Sequence, residues 1–138
     1  MSTEENKAIV RRHLIDVLEQ GHVELIPSYY APDGSKPAND TPEQWRDRVL
    51  EHHKIGPGFK ITILDMVAEG DKVVVRWTLR ATQATEYQGH PPNGKSMTVT
   101  GISIFRLAGG KIQEITVNMD RLGQMDQLGW LPAAPSSK

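Results

Sequence analysis

The chemistry-bearing residues of this chain are few, and the most conspicuous group mimics a phosphate site. Gly89-His90-Pro91-Pro92-Asn93-Gly94-Lys95-Ser96 matches the spacing G-x-x-x-x-G-K-S letter for letter. That spacing works when a loop of backbone N–H groups wraps phosphates and opens a helix. Pro91 and Pro92 remove two of those donors, and the following MTVTGISIF alternates like a strand. Asn93-Gly94 reads instead as a tight turn, so nucleotide binding is set aside. The histidines are His13, His22, His52, His53 and His90, and none stands in H-x-H or H-E-x-x-H spacing. His52 and His53 are adjacent, hence about 100° apart on a helix, and cannot face one ion together. No metal site is expected. Either imidazole could reach a cavity mouth as an acid or base, with solvent exposure as the plainer alternative. The chain has no cysteine, which excludes disulfides, thiolate ligands and thiol nucleophiles together.

Elements must exist to position these groups. Ser2-x-x-Glu5 has capping-box form, and Val10, Leu14, Val17 and Leu18 follow at helical spacing to Gly21, predicting a helix over about 4–20. A short helical stretch is expected from Val23 to Tyr30, then a loop over 31–40. Thr41-Pro42-Glu43-Gln44 starts another helix through Trp45, Val49 and His52, ending before Gly56. From Phe59 the period becomes two. Phe59–Ala68 and Val73–Thr82 flank Gly70-Asp71, and Met97–Leu107 and Lys111–Met119 flank Gly109-Gly110, predicting two hairpins. With two-residue turns and unbroken ladders, Asp65 faces Arg76, Val67 faces Val74 and Leu64 faces Trp77. One apolar face then holds Leu64, Met66, Val75, Trp77 and Leu79, with Asp65–Arg76 an ordinary cross-strand ion pair on the other. The second hairpin would place Ile102, Ile104, Ile115, Val117 and Met119 together. Asp120–Gly129 is a short helix or turn, and 131–138 a loose tail.

Composition bounds the rest. The chain has 138 residues, 38% hydrophobic and 24% charged, with 16 basic against 17 acidic side chains, which suits one α+β domain over 1–138. Balanced charge without a basic stripe gives no reason to expect nucleic-acid or membrane-surface binding. No apolar run is long enough to cross a bilayer and the first residues are polar, so a cytoplasmic protein is expected.

Five phrases, in order, carry a resemblance: YYAPD (Tyr29–Asp33), VAEGDKVVVRW (Val67–Trp77), GHPPNGK (Gly89–Lys95), GISIFRLAGGKIQE (Gly101–Glu114) and MDRLGQMDQLG (Met119–Gly129). Together they resemble the SnoaL-like polyketide cyclases. The resemblance implies the nuclear-transport-factor-like fold, a cone-shaped barrel of N-terminal helices on a strongly curved mixed, mostly antiparallel sheet around an apolar cavity. It implies a cofactor-free enzyme closing a ring of an aromatic polyketide ester by an intramolecular aldol reaction, or a hydroxylase component of polyketide tailoring. A non-catalytic ligand-binding or dimerisation module is the other reading of the same fold. The family's acid/base carboxylate aligns with Asp120, although an Asp at a strand-to-helix junction is equally a helix cap. Trp45, Trp77, Ile102, Ile104, Ile115, Val117 and Met119 would line the cavity, with Gln83 and Tyr87 as hydrogen-bonding groups. Relatives carry histidine at the positions of Ile115 and Gln83 and an acidic residue at that of Ser103, so the polar constellation here is altered. A homodimer through the outer sheet face is also implied.

Overall fold

In the computed structural model, which describes residues 2–32, 41–56 and 58–132, the order of elements is α1 (Thr3–His13), α2 (Ile26–Tyr29), α3 (Pro42–His53), β1 (Lys60–Glu69), β2 (Lys72–Thr82), β3 (Ser96–Ala108), β4 (Lys111–Met119) and α4 (Arg121–Gln127). Most of the expected loop over 31–40 and of the tail over 131–138 lies outside the described residues. Both capping boxes form. Ser2 Oγ accepts from Glu5 N at 3.1 Å, and Thr41 Oγ1 from Gln44 N at 3.2 Å, while Glu5 and Gln44 accept in return from the cap backbones. The first helix does not stay α-helical to residue 20. From Leu14 to Glu19 it widens into a π-type segment, which turns Leu14 and Leu18 toward the sheet.

The strands form one antiparallel sheet in the order β1-β2-β3-β4. Among the described residues its mixed character is confined to one parallel bridge, Tyr30 to Ile112, which docks the end of α2 against β4. Along β3 burial alternates strictly, with Met97, Val99, Gly101, Ser103, Phe105 and Leu107 inward. The α+β cone expected from the sequence is what forms.

Each hairpin, however, contains one extra residue. In the first, Asp65 pairs with Arg76 and Val67 with Val74 as expected, but Ile63, not Leu64, pairs with Trp77. Leu64 is the bulged residue and is 43% exposed. In the second, Leu107 pairs with Ile112 but Arg106 with Glu114, leaving Gln113 unpaired. A one-residue shift moves side chains to the opposite face. Ile102 and Ile104 therefore oppose Asn118 and Thr116 on the outer face, 47% and 40% exposed, and do not join Ile115, Val117 and Met119. Rows such as Asp65–Arg76–Ile102–Asn118 cross the outer surface, where Arg76 Nη2 meets Asp65 Oδ2 at 3.0 Å.

Two apolar clusters fill the concave side. The larger joins Val10, Leu14 and Val17 to Trp45, Val49, Val75, Trp77 and Phe105. The smaller joins Ile55, Ala81, Tyr87, Met97, Val99 and Leu128 under Trp130. Leu14, Trp45 and Trp77 from the first and Phe59 and Leu79 from the second border the space between them.

Candidate functional site

That space is a cavity of about 160 Å³. Helix α3 contributes Trp45, Arg48, Val49 and His52, a stripe at i, i+3, i+4 and i+7 that faces one way. The π-type segment supplies Leu14 and Leu18, the start of β1 Phe59 and Ile61, and the inner sheet face Trp77, Leu79, Ser103, Val117 and Met119. Among the described residues the lining is therefore apolar apart from three side chains, Arg48, His52 and Ser103, and the indole nitrogens. Ser103 Oγ accepts from Trp77 Nε1 at 2.9 Å, which fixes the indole plane. Trp45 packs edge-on to Tyr30 with ring centroids 6.2 Å apart.

Arg48 and His52 also face a second, wider space of about 430 Å³, whose remaining walls are Gln44, Asp47, Glu51 and Gln88. These two residues thus border both the apolar chamber and the polar vestibule. Burial holds the His52 imidazole below its ordinary pKa, with Arg48 and His53 acting in the same direction, Glu51 opposing and Arg121 of α4 adding a smaller depression. The neighbouring His53 is spent elsewhere: its Nε2–H donates to Leu18 O at 2.7 Å and its ring lies on Phe59. The helical stripe from Trp45 through Val49 was a signal from which His52 could have been chosen.

Of the side chains expected to form the site, Trp45, Trp77, Val117 and Met119 do line the cavity. Ile115 is buried against Phe105 deeper in the core. Ile102 and Ile104 are corrected to the outer face, since the bulge at Gln113 puts Ile115 and Val117 with Phe105 and Ser103 instead. Gln83 is fully buried but committed. Its Nε2 donates to His90 O at 3.0 Å and Pro91 O at 3.1 Å, and its Oε1 accepts from Trp130 Nε1 at 3.0 Å. No donor is left for a ligand. Tyr87 packs in the smaller cluster beside Trp130, away from the cavity lining. The segment 89–96 leads into β3, not a helix, in keeping with its rejection as a phosphate loop.

Asp120 takes the capping alternative. Met119 points inward and Asp120, the next residue, outward, where Oδ1 accepts from Gly123 N at 2.8 Å at the start of α4. Its carboxylate is exposed and outside the cavity lining.

A curved four-stranded sheet closed by helices over an apolar chamber defines the nuclear-transport-factor-like class of α+β cones. Within it, the model of the SnoaL-like polyketide cyclase family matches residues 8–128, and the chain belongs to that family. Among solved structures it is similar to TsrD of Streptomyces laurentii, 25% identical with a TM-score of 0.85 over 95% of this chain and 99% of that one. It is also similar to IdmH of Streptomyces antibioticus, a polyketide cyclase candidate, 26% identical with a TM-score of 0.77 over 90% of this chain and 98% of the other. AclR of Streptomyces galilaeus, a hydroxylase candidate, shares the fold at 22% identity and a TM-score of 0.84, covering 97% and 91% of the two chains. A curated relative, protein PSK SIMULATOR 1 of Arabidopsis thaliana, is 29% identical over 88% of this chain, which spans only 17% of that protein's length.

Proposed function

We propose that this chain binds a flat, largely apolar small molecule of the aromatic polyketide kind and transforms it without a cofactor, as ester cyclases of its family do. The observation that carries this is the pair of indoles, Trp45 and Trp77, bordering a chamber to which the described residues bring three polar side chains. A volume of 160 Å³ compares with the roughly 150 Å³ apolar cavity that admits benzene. One ring fits inside, and the rest of a fused-ring ligand extends past His52 and Arg48 into the vestibule. An intramolecular aldol closure suits such a chamber. A base takes the proton α to a carbonyl, the enolate carbon attacks a second carbonyl, and the alkoxide takes the proton back, with no redox partner.

Asp120 in its capping position favours a second reading, a ligand-binding module on the same fold without catalysis. Relatedness to a hydroxylase candidate makes a tailoring role a third chemistry to assay. The apolar outer face around Val67, Ile102 and Ile104 supports a homodimer, and a cytoplasmic setting is in keeping with the absence of cysteine.

The test is tryptophan fluorescence with a panel of anthraquinone esters, followed by crystallography of the best binder. Saturable quenching that Trp45→Leu weakens, with ligand between Trp45 and Trp77, is expected. Ligand bound elsewhere, or no quenching by any ester, would sink the reading.

A further inference from the structure

We infer that His52 is the acid–base residue of this cavity, taking the proton from a carbon α to a carbonyl at the boundary between chamber and vestibule. The inference rests on the proposal that the chamber holds an aromatic carbonyl compound, and adds which side chain acts on it.

Three observations support it. First, proton transfer needs a titratable group beside the ligand, and among the described residues that line the chamber His52 and Arg48 are the ones that carry an ionisable group. A guanidinium stays protonated and offers no base. Second, the position is suitable: His52 borders both the apolar chamber and the polar vestibule, through which a proton can exchange. Third, among the described residues its ring is not engaged in a hydrogen bond, whereas His53 is held by Leu18 O and His13 by Tyr30. The charged groups around it are Arg48, Glu51 and His53 on its own helix and Arg121 from α4, with Asp47 on the vestibule wall. Burial, Arg48, His53 and Arg121 hold its pKa below the ordinary 6.5 against the opposing pull of Glu51, which favours at pH 7 the neutral form that accepts a proton.

The step balances within the site. An imidazole nitrogen lone pair takes the α proton, and the C–H electron pair becomes the enolate. After the carbon–carbon bond closes, the imidazolium returns that proton to the new alkoxide. Ser103, which uses a lone pair to accept from Trp77, retains its own O–H to donate to the enolate oxygen.

The experiment uses the full chain in deuterated water with the methyl ester of an anthraquinone acetic acid, following deuterium entering its methylene by NMR. Tryptophan quenching on the same samples reports binding. The unaltered protein is expected to accelerate exchange, with a rate that rises with pH through a midpoint below 6.5, the ordinary histidine value. His52→Gln should bind with similar quenching and lose about a hundredfold or more of the acceleration. Because a helix substitution can disturb folding, the His52 Cε1–H resonance of the unaltered protein provides a second reading, and should shift when ligand is added. Binding without accelerated exchange, or exchange retained in His52→Gln, overturns the assignment and leaves the cavity reading intact. Exchange lost in Asp120→Asn with His52→Gln unaffected overturns it in favour of the carboxylate. No quenching in the unaltered protein removes the cavity reading itself, and this inference with it.

Discussion

Trp77 lies directly across from Gly101 on the neighbouring strand, and a Cβ on that glycine would sit 2.3 Å from the indole Cζ2. The absence of a side chain at Gly101 is thus what lets the indole lie flat over β3, where its N–H reaches Ser103 Oγ at 2.9 Å. One wall of the cavity is built from this relationship.

Gly101→Ala is accordingly expected to push Trp77 out of its place and to destabilise the fold by about 1–3 kcal/mol, as overpacking does. Ser103→Ala leaves space unchanged but strands a buried indole N–H, at about 1–3 kcal/mol. Thermal melts check both. Their ligand affinities separate the roles: Gly101→Ala should abolish quenching, while Ser103→Ala should retain most of it.

His13 predicts a pH effect on stability. It is fully buried between Tyr29, Tyr30 and Phe105, with its Nε2 hydrogen-bonded to the Tyr30 hydroxyl, and burial lowers its pKa from 6.5 to about 3. Below the unfolded value of 6.5 the unfolded chain takes a proton that the native state refuses until about pH 3. Stability is therefore complete above that upper value and falls as pH drops through the window, by up to about 1.4 kcal/mol per pH unit. His52 pulls in the same direction. Urea unfolding at stepped pH should show His13→Gln flattening the slope, and an unchanged slope would dismiss the account.

Asp120 offers a test between cap and catalyst. Asp120→Ala removes the acceptor for Gly123 N and should cost about 1 kcal/mol of stability. Asp120→Asn keeps a cap oxygen and should restore it. If the asparagine variant melts like the parent yet loses all turnover, the carboxylate acts in chemistry after all.

The outer sheet face predicts an oligomer. Val67, Ile102 and Ile104 are 62%, 47% and 40% exposed on one surface, an unusual concentration for a face left in water. Sedimentation equilibrium should give about twice 15.4 kDa, and Ile102→Lys should shift the protein toward the monomer. A parent that sediments as a monomer at tens of micromolar would refute the dimer.

Much of the architecture was legible because local rules and the global fold agree. Both capping boxes, the glycine hairpin turns, the Asp65–Arg76 pair and the change of period after Phe59 follow from neighbours in sequence, and each is where local chemistry puts it. The family resemblance ran along the same phrases. The site was less legible, since four of its expected members line the cavity and the rest do not.

The reason is geometric. The alternation of apolar residues in β3 and β4 determines that each strand has an inward face, but a bulge of one residue at Gln113 decides which residues of β4 share a face with which of β3, and no local signal marks it. Ser103 and Phe105 face inward with Val75 and Val73 of β2, and with Gln113 inserted Val117 and Ile115 join them while Ile102 and Ile104 lie on the other face. Gln83 and Trp130, 47 positions apart, satisfy each other only once α4 has folded against β3. The sequence by itself determined the elements, the turns and the kind of surface each presents. Tertiary packing decided which polar groups kept a free hydrogen-bonding atom, and so left His52, not Asp120, beside the chamber.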